Sequence, residues 1–516
     1  VSKPPSSTLP DACRTPAVME GHAIRAFAAL ATLASVHALK AFSTKPDEHL
    51  TQLQDTLTGV WEGALDVERK KHTNETGVTS EDFGHWWPDS RGPRSGAGSL
   101  AAPPADLSQH LAWTWQPPEG TFHAVIAGGP VIDYNKNIYV AAGDGLRKFD
   151  PSGKVLWHHT AYGTLTHSPA LMGNMVVAIH SDGNVMALNI DTGNTAWSRR
   201  YSTESPEGMY PAGYGGKWIY GSQPGADARR PGGQKVIAAV EAHTGDPSWT
   251  LRTLTPVVNF APTFPGDGTL VAMDIIGTLY RVNASDGTKL WESRPYGNHR
   301  TFSEGGAELG PDGVIYACSN PGTSYGLEGE RGVVRAYSLE DGTMLWDKPL
   351  PHPCNSRPTV TKEGQSLVIT AGARMQGSNL HGSIMALDAK TGNIQWRYQA
   401  PRLSGSEGAV NLNRAQTKYD QTCKPSHWST PRFASDGSVW AARADGKVYN
   451  VRGPATTDPA LVAVEAGSEM DADFQTTAGV QVQQTTVHGA PNPGSMAFAP
   501  GLTVVTTCDT LSVFKH

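Results

Sequence analysis

The chain has 516 residues, and its 42 lysines and arginines face 48 aspartates and glutamates, a formal charge of −6. That balance excludes the basic surface a nucleic-acid-binding protein needs. With 56 glycines and only 17% charged residues, the composition suits many short strands and turns.

Residues 1–18 are rich in Pro and Ser and precede Met19; they read as an upstream translated artefact or the end of a longer leader. Met19, Arg25 and the apolar run Ala26 to Val36 read as a secretory signal peptide over 19–38, with Val36-His37-Ala38 as the cleavage site. The run is too short for an ordinary transmembrane helix and no later segment qualifies, so the expectation is a soluble mature protein without a membrane span. Its compartment is then the extracellular space or an organelle lumen. Residues 39–85 form an N-terminal extension. Within it, Leu50, Leu53, Leu57, Val60, Trp61 and Ala64 recur at three- and four-residue steps, which predicts a helix over about 47–71 with one apolar face. That face packs on the domain that follows or docks on a partner. Asn74-Glu75-Thr76 and Asn283-Ala284-Ser285 are sequons, which opens Asn74 to glycosylation.

From Trp86 to His516 the chain repeats itself. Pro151-Ser152-Gly153-Lys154-Val155-Leu156-Trp157 is the first of six similar segments, which end in Trp157, Trp197, Trp249, Trp291, Trp346 and Trp396. A period of about 40 to 55 residues signals an array of small sheets, each too small to bury its own face. Asp267 to Trp291 shows one unit: Thr269 to Met273 is an apolar strand, Thr278 to Asn283 an alternating one, and Lys289-Leu290-Trp291 opens the outer strand. With a first strand entering at Ala261-Pro262-Thr263-Phe264, the unit is a four-stranded antiparallel blade. The Trp on the last strand bridges to the next blade, and burying one is worth roughly 4 kcal/mol of transfer free energy. First strands begin at a proline in several copies: Pro169, Pro211, Pro262, Pro358 and Pro431. In a propeller these strands line the central channel. A seventh unit, from Asp436, lacks the Trp motif and runs into a polar stretch over 453–493. The last unit ends the chain without an outer strand, and Leu111-Ala112-Trp113-Thr114-Trp115 supplies one from the other end of the domain. Closing the ring this way removes its open edges and gives eight blades; seven follow if the polar stretch is an insertion.

Cys13 lies before the expected start. Cys354 and Cys423 precede the first strands of successive blades, so a disulfide could join neighbouring loops in an oxidising compartment. Cys318 and Cys508 fall in strands of distant blades and read as buried thiols.

Ala386-Leu387-Asp388-Ala389-Lys390-Thr391-Gly392-Asn393-Ile394-Gln395-Trp396 matches A-x-D-x-x-T-G-x-x-x-W position for position. By this motif the chain resembles the pyrroloquinoline-quinone (PQQ)-type β-propeller superfamily over about Trp86 to His516. Trp87-Pro88-Asp89-Ser90-Arg91-Gly92 also resembles the leader such propellers carry before blade one. The resemblance implies an all-β, eight-bladed propeller, closest in character to non-enzymatic outer-membrane-assembly scaffolds. The superfamily also holds quinoprotein dehydrogenases. These need a carboxylate and an Asn on Ca²⁺, an Asp base, an Arg on the quinone and a stacked aromatic residue, and many add an adjacent cysteine pair.

This chain has no Cys-Cys pair and no C-x-x-C-H haem site. Candidates for a ligand site at the channel mouth are His167, Tyr210, Asn259, Glu304, Asn355, Arg357, His427 and Trp428, although polar residues line most propeller channels because these are wet. His158-His159 has no third ligand at suitable spacing and reads as a solvated pair. The leading expectation is a secreted or lumenal scaffold that presents rim loops and channel mouth to a protein partner or ligand, without catalytic residues, metal or cofactor. The alternatives are a PQQ- and Ca²⁺-dependent alcohol or sugar dehydrogenase, and a carbohydrate-binding propeller.

Overall fold

The computed structural model describes residues 85–89, 92, 106–117 and, from 126 to 516, all but 127, 162–164, 166, 181, 202–209, 222–234, 258, 296–300, 303–305, 322–330, 362–363, 373–379, 404–426, 435, 455–474 and 488–490. The signal peptide, the 47–71 helix, Asn74, Cys13, Cys423 and Glu304 lie outside the described residues.

The described residues form eight antiparallel sheets, the blades of a propeller. Blade 1 runs outward through Val131–Ile132, Ile138–Ala142, Gly145–Phe149 and Val155–Thr160. Blades 2 and 3 repeat the plan, ending at Thr195–Arg200 and Pro247–Arg252. In blade 4 the first strand shortens to a bridge between Thr263 and Val271. Blades 5, 6 and 7 begin their inner wall at Ala307–Leu309, Thr359–Val360 and Arg432–Phe433. Blade 8 is built from both ends of the domain: Leu111–Trp115 pairs with Leu511–Lys515, with Trp113 opposite Val513 and Trp115 opposite Leu511. The expected closure and the count of eight are both present.

The polar stretch after blade 7 supplies that blade's outer strand, Gln481–Thr486, which pairs with Lys447–Arg452. Its sequence, Gln-Val-Gln-Gln-Thr-Thr, has no apolar alternation because only one residue of the strand is buried.

The repeat motif acts at the junction between blades. Each docking indole lies on the turn glycine of the following blade and, in most copies, donates its N–H to a backbone carbonyl there. Trp157 donates to Ile190 (2.9 Å), Trp197 to Ala242 (2.7 Å), Trp249 to Ala284 (2.9 Å), Trp291 to Leu339 (2.9 Å) and Trp346 to Ala389 (3.2 Å). Trp113 continues the series with Pro151 (3.0 Å), which carries the ring past the closure. Gly287 shows why the motif needs glycine. Its φ is +76°, and a Cβ there would sit 2.6 Å from the Trp249 ring. The motif carboxylate holds the same turn: Asp388 Oδ1 accepts from the N–H groups of Lys390 and Thr391.

Trp197, Trp249 and Trp396 are buried, while Trp157, Trp291 and Trp346 are only partly so. We expect Trp249→Ala to lower stability by about 3 kcal/mol, the scale for a truncated buried aromatic, and Trp291→Ala to cost less. Chemical denaturation of the two variants checks the order. Equal losses would show that burial at the junction does not set the cost.

The cysteine expectations need correction. Cys354 is bonded to Cys318 rather than to Cys423, with Cα atoms 5.6 Å apart. Cys318 lies on the second strand of blade 5, and Cys354 on the segment that leads into blade 6. That segment runs beside the second and third strands of blade 5, where Gly332 N–H donates to the His352 carbonyl, so the contact is loop to strand. Cys508 is also disulfide-bonded, to a partner outside the described residues. Neither Cys318 nor Cys508 is the free thiol expected of it.

Candidate functional site

Most of the innermost strands follow or begin at a proline, which has no N–H to leave unpaired, whereas Gly306 precedes that of blade 5. The residues beside these prolines meet at the centre of the ring. Gly129 N–H donates to Ser168 Oγ (2.6 Å), joining blades 1 and 2. A Cβ on Gly129 would collide with the Gly494 carbonyl of blade 8, so the backbones of the first and last blades touch here.

Arg357 is the main side chain of this region. It is buried, and its Nε donates to Glu308 Oε2 at 2.6 Å. Its second arm donates to Thr263 Oγ1 at 2.6 Å, and that hydroxyl donates on to the Ala307 carbonyl at 2.8 Å. One guanidinium thus ties blades 4, 5 and 6 together at the axis. Glu308 is wholly buried, and its other oxygen, Oε1, has no hydrogen-bond partner among the described residues. Burial pushes its carboxyl above the ordinary range, against the pull of Arg357 and then Arg432. Arg432, on the inner strand of blade 7, lies with its guanidinium 5.0 Å from the Trp87 ring centre.

Of the eight residues expected at the channel mouth, seven are described, and Glu304 lies outside the described residues. His167 and Tyr210 meet edge to face at 4.5 Å between blades 2 and 3. Asn259 occupies a left-handed turn (φ +49°), a conformation asparagine tolerates better than most residues. Asn355 Oδ1 accepts from the Asn320 side chain, whose own oxygen accepts the Cys354 N–H at 2.8 Å, so this pair braces the disulfide. His427 stacks on Trp428 at 6.1 Å, and its Nε2 accepts from Arg443 at 3.1–3.2 Å. Arg443 also lies 5.2 Å from the Trp428 ring centre, and the Trp428 N–H has no partner among the described residues.

Sequence reasoning missed Glu308, Thr263, Arg432 and Arg443. A lone carboxylate between Ala307 and Leu309, on an otherwise apolar strand, was the available signal.

A Ca²⁺–quinone pair calls for several oxygen donors. Glu308 Oε2 is taken by Arg357 and the Asn355 oxygen by Asn320, while Glu308 Oε1 has no partner among the described residues. Among the described residues no group of three or more His, Cys, Asp or Glu side chains is placed to hold a metal ion.

The family described as outer membrane protein assembly factor BamB matches residues 102–213, 207–335 and 277–453. The chain belongs to this family. Its fold is that of the PQQ-type propellers. Curated relatives include the outer membrane protein assembly factor BamB of Burkholderia pseudomallei, 28% identical over 232 residues, which are 43% of this chain and 54% of that protein. The BamB of Shewanella oneidensis is 27% identical over 172 residues, 30% of this chain and 40% of that one. The chain thus spans about half the length of the curated relatives it matches, or less. Among solved structures, BamB from Moraxella catarrhalis superposes with a TM-score of 0.52 at 12% identity, covering 79% of this chain and 99% of that one. Quinohemoprotein alcohol dehydrogenase from Comamonas testosteroni superposes with 0.54 at 13% identity, covering 84% and 81%. These likenesses concern the fold alone.

Proposed function

We propose that the chain is a non-enzymatic propeller scaffold that presents its rim loops to a protein partner, as an assembly factor does. The observation that carries this reading is the Arg357–Glu308–Thr263 tie. Arg357 and Glu308 are paired with each other, and Arg357 also holds Thr263, across three blades and in a buried setting. Groups placed so stiffen a ring; they are not presented to a substrate. Membership of a family described as an assembly factor points the same way. An oxidising compartment fits the Cys318–Cys354 bond, since such bonds persist mainly in secreted or lumenal proteins. No described helix is long and apolar enough to cross a membrane.

The test is affinity capture of the full chain from its native compartment, followed by cross-linking to map the contact. A stoichiometric partner cross-linked to rim loops is the expected result. A chain captured alone, with an activity on a small substrate, would overturn the reading. We further propose that no quinone is held at the axis. Calorimetry with PQQ and Ca²⁺ should show no binding tighter than about 100 μM, or roughly −5.5 kcal/mol, because Arg357 is already engaged by Glu308 and Thr263. Micromolar binding lost in Arg357→Ala, together with alcohol-dependent dye reduction, would make the dehydrogenase reading the better one.

A further inference from the structure

The segment before blade 1 does more than lead into it. Residues 85–88 run along the free inner edge of the innermost strand of blade 1, at the end of the channel where the first and second strands turn. Trp87 N–H donates to the Ile132 carbonyl (3.0 Å) and Ile132 N–H donates back to Trp87 (2.9 Å). Leu171 N–H of blade 2 donates to the Pro88 carbonyl (2.7 Å), and the His85 ring lies 3.0 Å from the Gly173 carbonyl. The Trp87 ring is wholly buried. It meets Phe498 of blade 8 edge to face at 5.5 Å, under the Arg432 guanidinium of blade 7. Gly92 folds back over the same ring: its φ is +94°, and a Cβ there would lie 2.8 Å from the indole. Three residues thus touch four consecutive blades, 7, 8, 1 and 2.

This is how an extended peptide is recognised. Main-chain bonds to an open strand edge supply affinity, and a pocket for one side chain supplies selectivity. The pocket fits its occupant imperfectly. Among the described residues the buried Trp87 indole N–H has no hydrogen-bond partner, a desolvation cost that a phenyl ring would not incur.

We propose that this end of the channel is a peptide site, filled in cis by the chain's own Trp86-Trp87-Pro88 segment. The ligand it takes is an extended segment with an aromatic residue followed by proline. The aromatic ring enters the pocket of Arg432 and Phe498, and the flanking backbone pairs with Ile132 and Leu171. The segment is therefore a stopper that can be exchanged for a like segment in trans.

The test uses the full chain carrying Trp87→Ala, with Gly92→Ala as the second variant, since its methyl group displaces the same ring. A labelled synthetic peptide spanning residues 85–92 is titrated in and followed by fluorescence anisotropy. Hydrogen exchange reads the Ile132 and Leu171 amides. We expect both amides to lose protection in the variants while the second strand of blade 1, Ile138–Ala142, keeps its own. Either variant should bind the peptide with Kd of about 10–100 μM, at least tenfold tighter than the intact chain. A peptide with Phe at position 87 should bind at least as well, and Arg432→Gln should weaken binding severalfold. Unchanged amide protection, or equal peptide binding by intact and variant chains, would overturn the proposal. So would failure of both variants to fold, since the segment would then be fixed core rather than an exchangeable occupant.

Discussion

Removing residues 108–116 should leave a protein that aggregates or melts far below the intact chain. That segment contains Leu111–Trp115, which pairs with Leu511–Lys515 and completes blade 8. Its loss strips the Lys515-to-Leu511 edge of its partner, and an exposed strand edge templates association with other chains. It also removes two indoles from the blade 8–blade 1 junction. Trp113 donates to the Pro151 carbonyl at 3.0 Å, Trp115 packs on Phe149 with ring centres 5.4 Å apart, and Arg147 lies 4.8 Å from the Trp115 ring centre. A subtler variant, Thr114→Pro, keeps the chain length and places a residue without an N–H in the ladder opposite Ser512. Both should shift thermal melting and increase light scattering, the deletion more than the substitution. A deleted chain that melts with the intact one would show that the ring closes some other way.

The second large effect is expected at the axis. Arg357→Ala leaves the Glu308 carboxylate buried without its closest counter-charge, and breaking a buried pair from one side costs about 3–5 kcal/mol. Replacing both partners with Leu should cost much less, because no charge then remains to be solvated. The single variant carries a pH signature. Burial already sets the Glu308 carboxyl above its ordinary range, and losing Arg357 raises it further. A carboxyl whose folded pKa lies above its unfolded value stabilises the fold where it is protonated. That contribution is lost as pH rises through the folded pKa. The penalty in Arg357→Ala should therefore be smallest near pH 4, about the unfolded value of a glutamate, and grow toward neutral pH. Urea denaturation of Arg357→Ala and of the double variant at pH 4.5 and 7.5 reads both effects. A penalty independent of pH would mean that Arg357 acts through packing or through Thr263, not through the carboxylate.

The structure agrees with the sequence wherever the signal is local and repeated. The A-x-D-x-x-T-G-x-x-x-W segments mark turns, and each turn is held by its own side chains, as Asp388 holds Lys390 and Thr391. The outer strand at Leu111–Trp115 was legible because its two indoles stand out in a region with no other strand pattern. Gln481–Thr486 was not, because the outermost strand of a blade faces solvent and needs no apolar alternation; backbone pairing with Lys447–Arg452 alone makes it a strand.

The candidate site was less legible than the fold, and for a different reason. Arg357 was singled out, but its partners were not. Thr263 lies 94 positions away and Glu308 lies 49 positions away. No repeat relates these three residue types, because blades 4, 5 and 6 each contribute a different side chain to the tie. The cysteines failed in the same way: rim loops suggested Cys354 with Cys423, whereas the path of the loop beside blade 5 puts Cys354 against Cys318. The sequence by itself determined the plan of the blade, the six Trp segments and the closing strand, because these depend on short-range turn chemistry and on one indole per junction; the choice of eight blades over seven came from the structure, which makes the polar stretch an outer strand. Only the tertiary structure decided which charges meet at the axis, which cysteines bond and where the Trp87 segment lies. Those contacts depend on how eight sheets are arranged around a common centre, and a linear pattern carries no record of that arrangement.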